Sequence, residues 1–417
     1  MKKITLSTVA ILSLASTFST TLSASNDFTL FSNTKFNGEA RARYENVDDE
    51  NNAVQQANAY TLRATLGLET TLLGVDGLSM KVDGTTVQTL GGTKYNDLSA
   101  TKFTDYDVVA DPEQTRFTQG YIQYKMGTTT LKAGRQITNL DNQRFIGSVD
   151  WRQMPQSLDA VSVTNTSIAG LSLYGAYVYS YATVFDEPTW DSESVLLNGT
   201  YKINDMIKAT AYDYMLSLEK GSFAADTYGL ALSGDVPAAG AKIGYRAEYA
   251  LQKDSTFDKI NTSTKGEADA SYYLLEATAG MMGVSLGAGY EFLSGAEGSK
   301  TKFQTPLATL HKFNGTADKF LATPTGGLID TYINLGYGAA GLGNAIITYH
   351  DFETDVAMSG KSDLGSEWDL QYANAIPGVK GLNGLIKAAY YDGGDVTTGI
   401  GYTQDVTKVW LQVGYKF

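Results

Sequence analysis

An alternation that runs to the last residue limits this chain more than any other feature. Val409, Leu411, Val413, Tyr415 and Phe417 are apolar, and Gln412, Gly414 and Lys416 lie between them. Residues 241–251 repeat the pattern: Ile243, Tyr245, Ala247, Tyr249 and Leu251 alternate with Lys242, Gly244, Arg246, Glu248 and Ala250. Residues 60–69 do the same, with Tyr60, Leu62, Ala64, Leu66 and Leu68 on one face and Thr61, Arg63, Thr65, Gly67 and Glu69 on the other. Successive side chains of a strand point to opposite faces, so these segments read as strands with one apolar and one polar face. About eighteen such segments run from 36–46 to 408–417, most of them about ten residues long, the length of a tilted membrane-crossing strand. A count of about sixteen is the main alternative.

The connections alternate as well. Tight turns at 127–128, 168–170, 204–205, 282–283 and 340–343 are interleaved with long links at 89–115, 139–157, 252–270 and 294–328. Links longer than about 15 residues are uncommon in compact soluble domains. Short turns at one end and long loops at the other suit an outer-membrane barrel. In lipid every backbone N–H and C=O needs a partner, so a sheet can span only if it closes on itself. The expected fold is all-β: a transmembrane antiparallel up-and-down β-barrel with short periplasmic turns and long outer loops. Its Leu, Val, Ile, Ala and Tyr face meets lipid, and its Lys, Arg, Glu, Thr and Gly face lines a water-filled lumen. Tyr44, Tyr60, Tyr124, Tyr201, Tyr249, Tyr290, Trp368 and Tyr415 near strand ends fit aromatic girdles.

The first 24 residues stand apart. Met1-Lys2-Lys3 is basic, Ile4 to Leu14 is mostly apolar but too short to span, and Leu22-Ser23-Ala24 is a small-residue cleavage site. This reads as a secretory signal peptide over 1–24, followed by one barrel domain over 25–417 in the outer membrane of a Gram-negative cell. With no Cys and two His in 417 residues, little is left for a thiolate metal site, a multi-histidine centre or a His-based triad. His311 falls in a loop, His350 near a strand end, and no Ser sits at a recognisable elbow, so an enzyme is not expected. A net charge of −13 argues against a nucleic-acid partner. No cofactor or metal is expected. Asp105, Asp107 and Asp111 lack the spacing of a calcium loop and are expected to be simply solvated.

A polar barrel interior is a pore. Seven of the eight arginines precede residue 153. The candidate solute path comprises Arg41, Arg43, Arg63, Lys132, Arg135, Arg144 and Arg152, with Glu39, Glu45 and Glu69 nearby. Clustered guanidinium groups can bind carboxylates, or they can pair with the wall's own acids, and a constriction accommodates both. Arg135 breaks phase: alternation points it at lipid, so either the strand leaves the membrane there or a bulge at Gly134 turns it inward. Two long loops carry apolar and paired charged residues that a solvated loop lacks. Asp141, Phe145 and Trp151 mark the loop at 139–157, and His311, Lys312 and Lys319 mark the one at 294–328. Folded inward they narrow the lumen; the alternative is packing between loops on the outer surface. Phe417 is expected to present a terminal aromatic to the barrel-insertion machinery.

Arg41-Ala42-Arg43-Tyr44-Glu45, Val109 to Glu113, Lys132 to Gln136 with Asp141 to Phe145, Trp151-Arg152-Gln153, and His311 to Gly315 with Ala317 to Phe320 resemble bacterial outer-membrane porins of the alginate-export type. The resemblance touches most of the chain, with its specificity in the two loop motifs. The chain departs from it at Thr316, where a Trp is expected, and at Asp150, where a Gly is. The resemblance implies an eighteen-stranded barrel passing anionic solutes, with Arg and Lys along the path. The expected function is a porin for small hydrophilic solutes that favours carboxylate or uronate-like anions at a basic constriction. The alternative is a structural or surface-interaction barrel without significant conductance.

Overall fold

The computed structural model describes residues 30–50, 54–98, 102–255, 268–397 and 401–417. The proposed signal peptide lies outside them. The strands in chain order are β1 (Phe31–Asp49), β2 (Ala57–Leu72), β3 (Leu78–Thr89), β4 (Gln114–Met126), β5 (Thr129–Gln136), β6 (Ser157–Asn165), β7 (Leu171–Ala182), β8 (Trp190–Lys202) and β9 (Lys208–Leu218). They continue with β10 (Phe223–Ala238), β11 (Ala241–Asp254), β12 (Asp269–Met281), β13 (Val284–Leu293), β14 (Leu328–Ala339), β15 (Gly343–Met358), β16 (Lys361–Ala375), β17 (Leu382–Gly393) and β18 (Val406–Lys416). All belong to one 18-stranded sheet, so the sixteen-strand alternative falls.

Every strand pairs antiparallel with its chain neighbours, and β1 pairs with β18 from Glu39↔Lys416 to Asp49↔Val406. Gly38 and Phe417 exchange two further backbone hydrogen bonds of 3.1 Å beyond that ladder. The sheet therefore has no free edge, which is the condition for crossing a membrane with strands. Among the described residues no helix is long and apolar enough to do so.

Alternation sets the two faces. Leu286, Ile333, Leu335, Leu370, Ile386, Leu411 and Val413 all project outward and are exposed. An apolar surface this continuous is far larger than the few hundred Å² a soluble monomer shows, and lipid is the solvent it fits. Outward aromatics gather toward strand ends, with Tyr124, Tyr201, Tyr337 and Tyr372 at the short-turn side and Tyr60, Phe117, Tyr179 and Tyr390 at the other. The hydrophobic core is inside. Phe145, Ile146, Phe303, Leu307 and Phe320, all between strands, pack with inward Leu158, Tyr214, Tyr272, Phe352 and Tyr391.

Candidate functional site

Two connections meet inside the barrel: 137–156 between β5 and β6, and 294–327 between β13 and β14. Ile146 and Leu307 form a parallel bridge, and the Gly147 N–H donates to the Leu307 carbonyl at 2.8 Å. The Thr309 hydroxyl donates to Gln143 Oε1 at 2.8 Å and accepts from the Val149 N–H at 3.2 Å. Trp151 stacks on His311, ring centroids 4.2 Å apart and 5° from parallel.

Each loop is also fixed to the wall. Arg144 donates through Nε to Glu291 of β13 at 2.7 Å and through Nη2 to Asn314 at 2.9 Å. Glu291 accepts further from the Tyr272 hydroxyl at 2.8 Å and from Asn314 at 2.5 Å. Arg152 bridges Glu45 of β1 at 3.1 Å and Asp318 at 2.8 Å. Arg43 donates to the Trp151 carbonyl at 2.5 Å, lies over the Trp151 ring and faces Asp111 at 3.5 Å. Asp111 in turn accepts from the Gln153 N–H at 2.7 Å. Lys319 reaches Asp49 at 3.2 Å and the Gly401 carbonyl at 3.0 Å. Arg246 of β11 holds Asp141 and Glu248. Removing one partner from a buried pair of this kind leaves an uncompensated charge and costs about 3–5 kcal/mol.

His311 joins loop to wall by chemistry rather than charge. Its Nδ1 lies 2.7 Å from Asp318 Oδ1, and its Nε2 lies 2.9 Å from Lys387 Nζ. An ammonium only donates, so Nε2 accepts and the proton sits on Nδ1, aimed at Asp318. Burial holds the imidazole well below its ordinary pKa despite Asp318. Burial works against ionising Asp318, yet His311, Lys408 and Arg152 hold its carboxyl well below the usual range. Gly315 has φ +80, and a Cβ there would meet Glu367 Oε2 at 2.4 Å, so the turn after Asn314 needs glycine.

The predicted site residues divide into groups. Arg41, Arg43, Arg63, Arg144 and Arg152 are all inward and buried, and each has an acidic partner. Glu39 and Glu45 are among those partners. Lys132 is inward over the Tyr121 ring at 4.3 Å, and Glu69 is exposed on the inward face of β2. Phe145 is core; Trp151 and His311 form the loop stack; Asp141, Lys312 and Lys319 are tied to Arg246, the Asn142 carbonyl and Asp49.

Two expectations are corrected. Of the two readings of Arg135, the inward bulge falls: the side chain stays off the solute path, at the end of its strand. It keeps the phase of exposed Leu131 and Ala133, opposite Asp159 of β6, and donates to both carboxylate oxygens at 2.7 Å. The β4–β5 register runs unbroken from Gly120↔Arg135 to Met126↔Thr129, although Gly134 has φ +121. The pair neutralises the charge on the outer face, one residue from the strand end at the long-loop rim. Nor are two of the three loop aspartates simply solvated: Asp111 and Asp107 are buried and accept backbone N–H bonds from Gln153 and Asp49, while Asp105 is exposed. Among the described residues no group of His, Cys, Asp and Glu suits a metal ion.

Sequence reasoning passed over Glu291, Asp318, Arg246, Lys387 and Lys408. Four of them occupy inward positions in the alternation, so that signal was available for all but Asp318. The link 89–115 reads as a long loop, but its packing was not foreseen: Tyr95 and Val109 pack with Val47, Ala57 and Ala59.

No protein-family model matches the chain, and no curated protein does. Solved structures do. Pseudomonas aeruginosa OccK9 (OpdG) aligns at TM-score 0.72 and 18% identity over 92% of this chain and 98% of its own. OccK2 (OpdF) of the same organism aligns at 0.71 and 17% identity over 93% and 98%. OpdK, solved with vanillate, aligns at 0.71 and 12% identity over 93% and 100%. The chain has the fold of these 18-stranded outer-membrane barrels.

Proposed function

We propose that this protein is an outer-membrane porin, a water-filled channel for small hydrophilic solutes. The observation that carries the reading is the loop 137–156 fixed across the lumen by Arg144–Glu291 and Arg152–Glu45, with the loop 294–327 tied to it by Arg152–Asp318 and to the wall by Lys319–Asp49. A closed barrel with polar inward faces and a fixed internal narrowing suits selection by size and charge. The fold shared with OccK9, OccK2 and OpdK supports it, and so does the apolar outer surface.

Small solutes fit this geometry better than a polymer of the alginate type. The loops cross the lumen between β1 and β13 and narrow it. An anionic preference, within this reading, falls to Arg41 and Arg63, the arginines with a partner open to the lumen. Arg43, Arg144 and Arg152 instead hold the loops. The vanillate in the OpdK structure is a small carboxylate of the size proposed. Both histidines direct Nδ1 at a buried Asp, and Nε2 faces Lys387 or Asp369, so neither is set against a nucleophile.

The test is a planar bilayer recording of the purified protein. Discrete conductance steps and permeation of small organic acids are expected. A folded barrel that inserts and stays silent would leave the structural alternative.

A further inference from the structure

The two carboxylates of the loop 137–156, Asp141 and Asp150, are placed differently. Asp150 Oδ1 lies 2.6 Å from Arg63 Nη1, and Oδ2 lies 3.7 Å from Arg41 Nη2. Its side chain is 47% exposed, whereas those of Arg41 and Arg63 are 9% and 6% exposed. The acid therefore lies between two guanidinium groups and open lumen. Behind them is the wall's own acid, Glu39, 3.1 Å from Arg41 and 3.8 Å from Arg63, with Lys416 3.4 Å from Glu39.

The two arginines are held differently. Arg41 also donates to the carbonyls of Asp150, Trp151 and Arg152 at 2.9, 3.4 and 3.4 Å, so the loop backbone retains it. Among the described residues, Arg63 has beyond Asp150 only Thr65 at 3.4 Å and the distant Glu39. Its best donor is directed at the Asp150 carboxylate. Guanidinium pairs recognise carboxylates by charge-assisted hydrogen bonds. A carboxylate delivered on a tether competes at an effective concentration in the millimolar range, above that of a dilute solute.

We infer that Arg41 and Arg63 form a carboxylate-binding site for passing solutes, and that Asp150 occupies it as a built-in competitor. The inference rests on the channel reading above. Asp150 thereby sets the charge preference of the path. With it in place, Arg41, Arg63, Lys416, Asp150 and Glu39 sum to +1; without it the sum rises to +2, and a more positive site opens to the lumen and takes small carboxylates.

The experiment uses the full-length protein in planar bilayers. Folded state is checked by heat-modifiable mobility, and the anion-to-cation permeability ratio is read from the reversal potential in a KCl gradient. Asp150→Asn keeps the loop carbonyls and is expected to raise that ratio at least about twofold. It should also let millimolar malonate reduce the current. Arg63→Gln alone removes the cation nearest Asp150 and should shift the ratio the opposite way. The double variant should return near wild type and lose the response to malonate. An unchanged ratio in folded Asp150→Asn overturns the inference, as does a higher conductance at the same ratio, which would make Asp150 a loop fastener only. Malonate block that persists in the double variant overturns it too. A silent wild type would instead sink the channel reading itself.

Discussion

At the scale of single residues, position in the alternation matters less than the partner found across the lumen. Arg135 and Arg144 lie in one short stretch of chain, yet one pairs on the outer wall and the other inside. Arg144→Ala strands Glu291 among Tyr272, Asn314 and buried apolar groups. We expect a loss of about 3–5 kcal/mol in loop anchoring, seen as faster amide exchange over 142–149 and a noisier, larger conductance. Combining it with Glu291→Gln should recover part of that loss, because the stranded charge goes. Arg135→Ala should leave the reversal potential unchanged, since the side chain never meets the ions; a shift would put it back on the path. Asp107 titrates at about 6, pushed up first by burial and then by Asp49 and Asp48. Its folded pKa exceeds the ordinary 3.8, so its docking is fully favourable below about 4 and weakens as pH rises through about 6. Amide protection over 94–98 and 102–109 should therefore be higher at pH 4.5 than at pH 7.5, and Asp107→Asn should flatten the difference.

At the scale of elements, strands and loops obey different rules. Tyr60 to Glu69 shows why the strands were legible: lipid outside and water inside demand alternation residue by residue, and a single slip reverses both faces. The inward-lining strand residues were legible for the same reason. Arg144 and Arg152 were recognisable as charged loop residues, but their partners Glu291, Glu45 and Asp318 are 147, 107 and 166 positions away. No local pattern links such pairs. The loop 139–153 narrows the lumen in the proposed reading, so its deletion should raise single-channel conductance more than twofold. Unchanged conductance would mean that the solute path runs elsewhere.

For the whole molecule, closure is the decisive event. The first and last strands meet only when every other strand is in register, so the barrel forms cooperatively or not at all. The Phe417 ring lies over Gly38, where a Cβ would come within 2.2 Å of it. Deleting Phe417 removes that cover and two backbone hydrogen bonds at the seam. The heat-modifiable folded form in outer membranes should fall, and a normal level would count against a role for this residue in closure or insertion.

Sequence alone determined the all-β class, the strand positions, the two faces and the short-and-long rhythm of the connections. These follow from solvent: a chain between lipid and water must alternate, and its alternation is written locally. Only the tertiary structure decided what the arginines do. Charge fixes how strongly they interact but not with whom, and the partners come from strands on other parts of the barrel wall. A cluster that the sequence left open between a basic ladder and ion pairs with the wall is, once folded, a set of clasps holding two loops, with Arg41 and Arg63 behind Asp150.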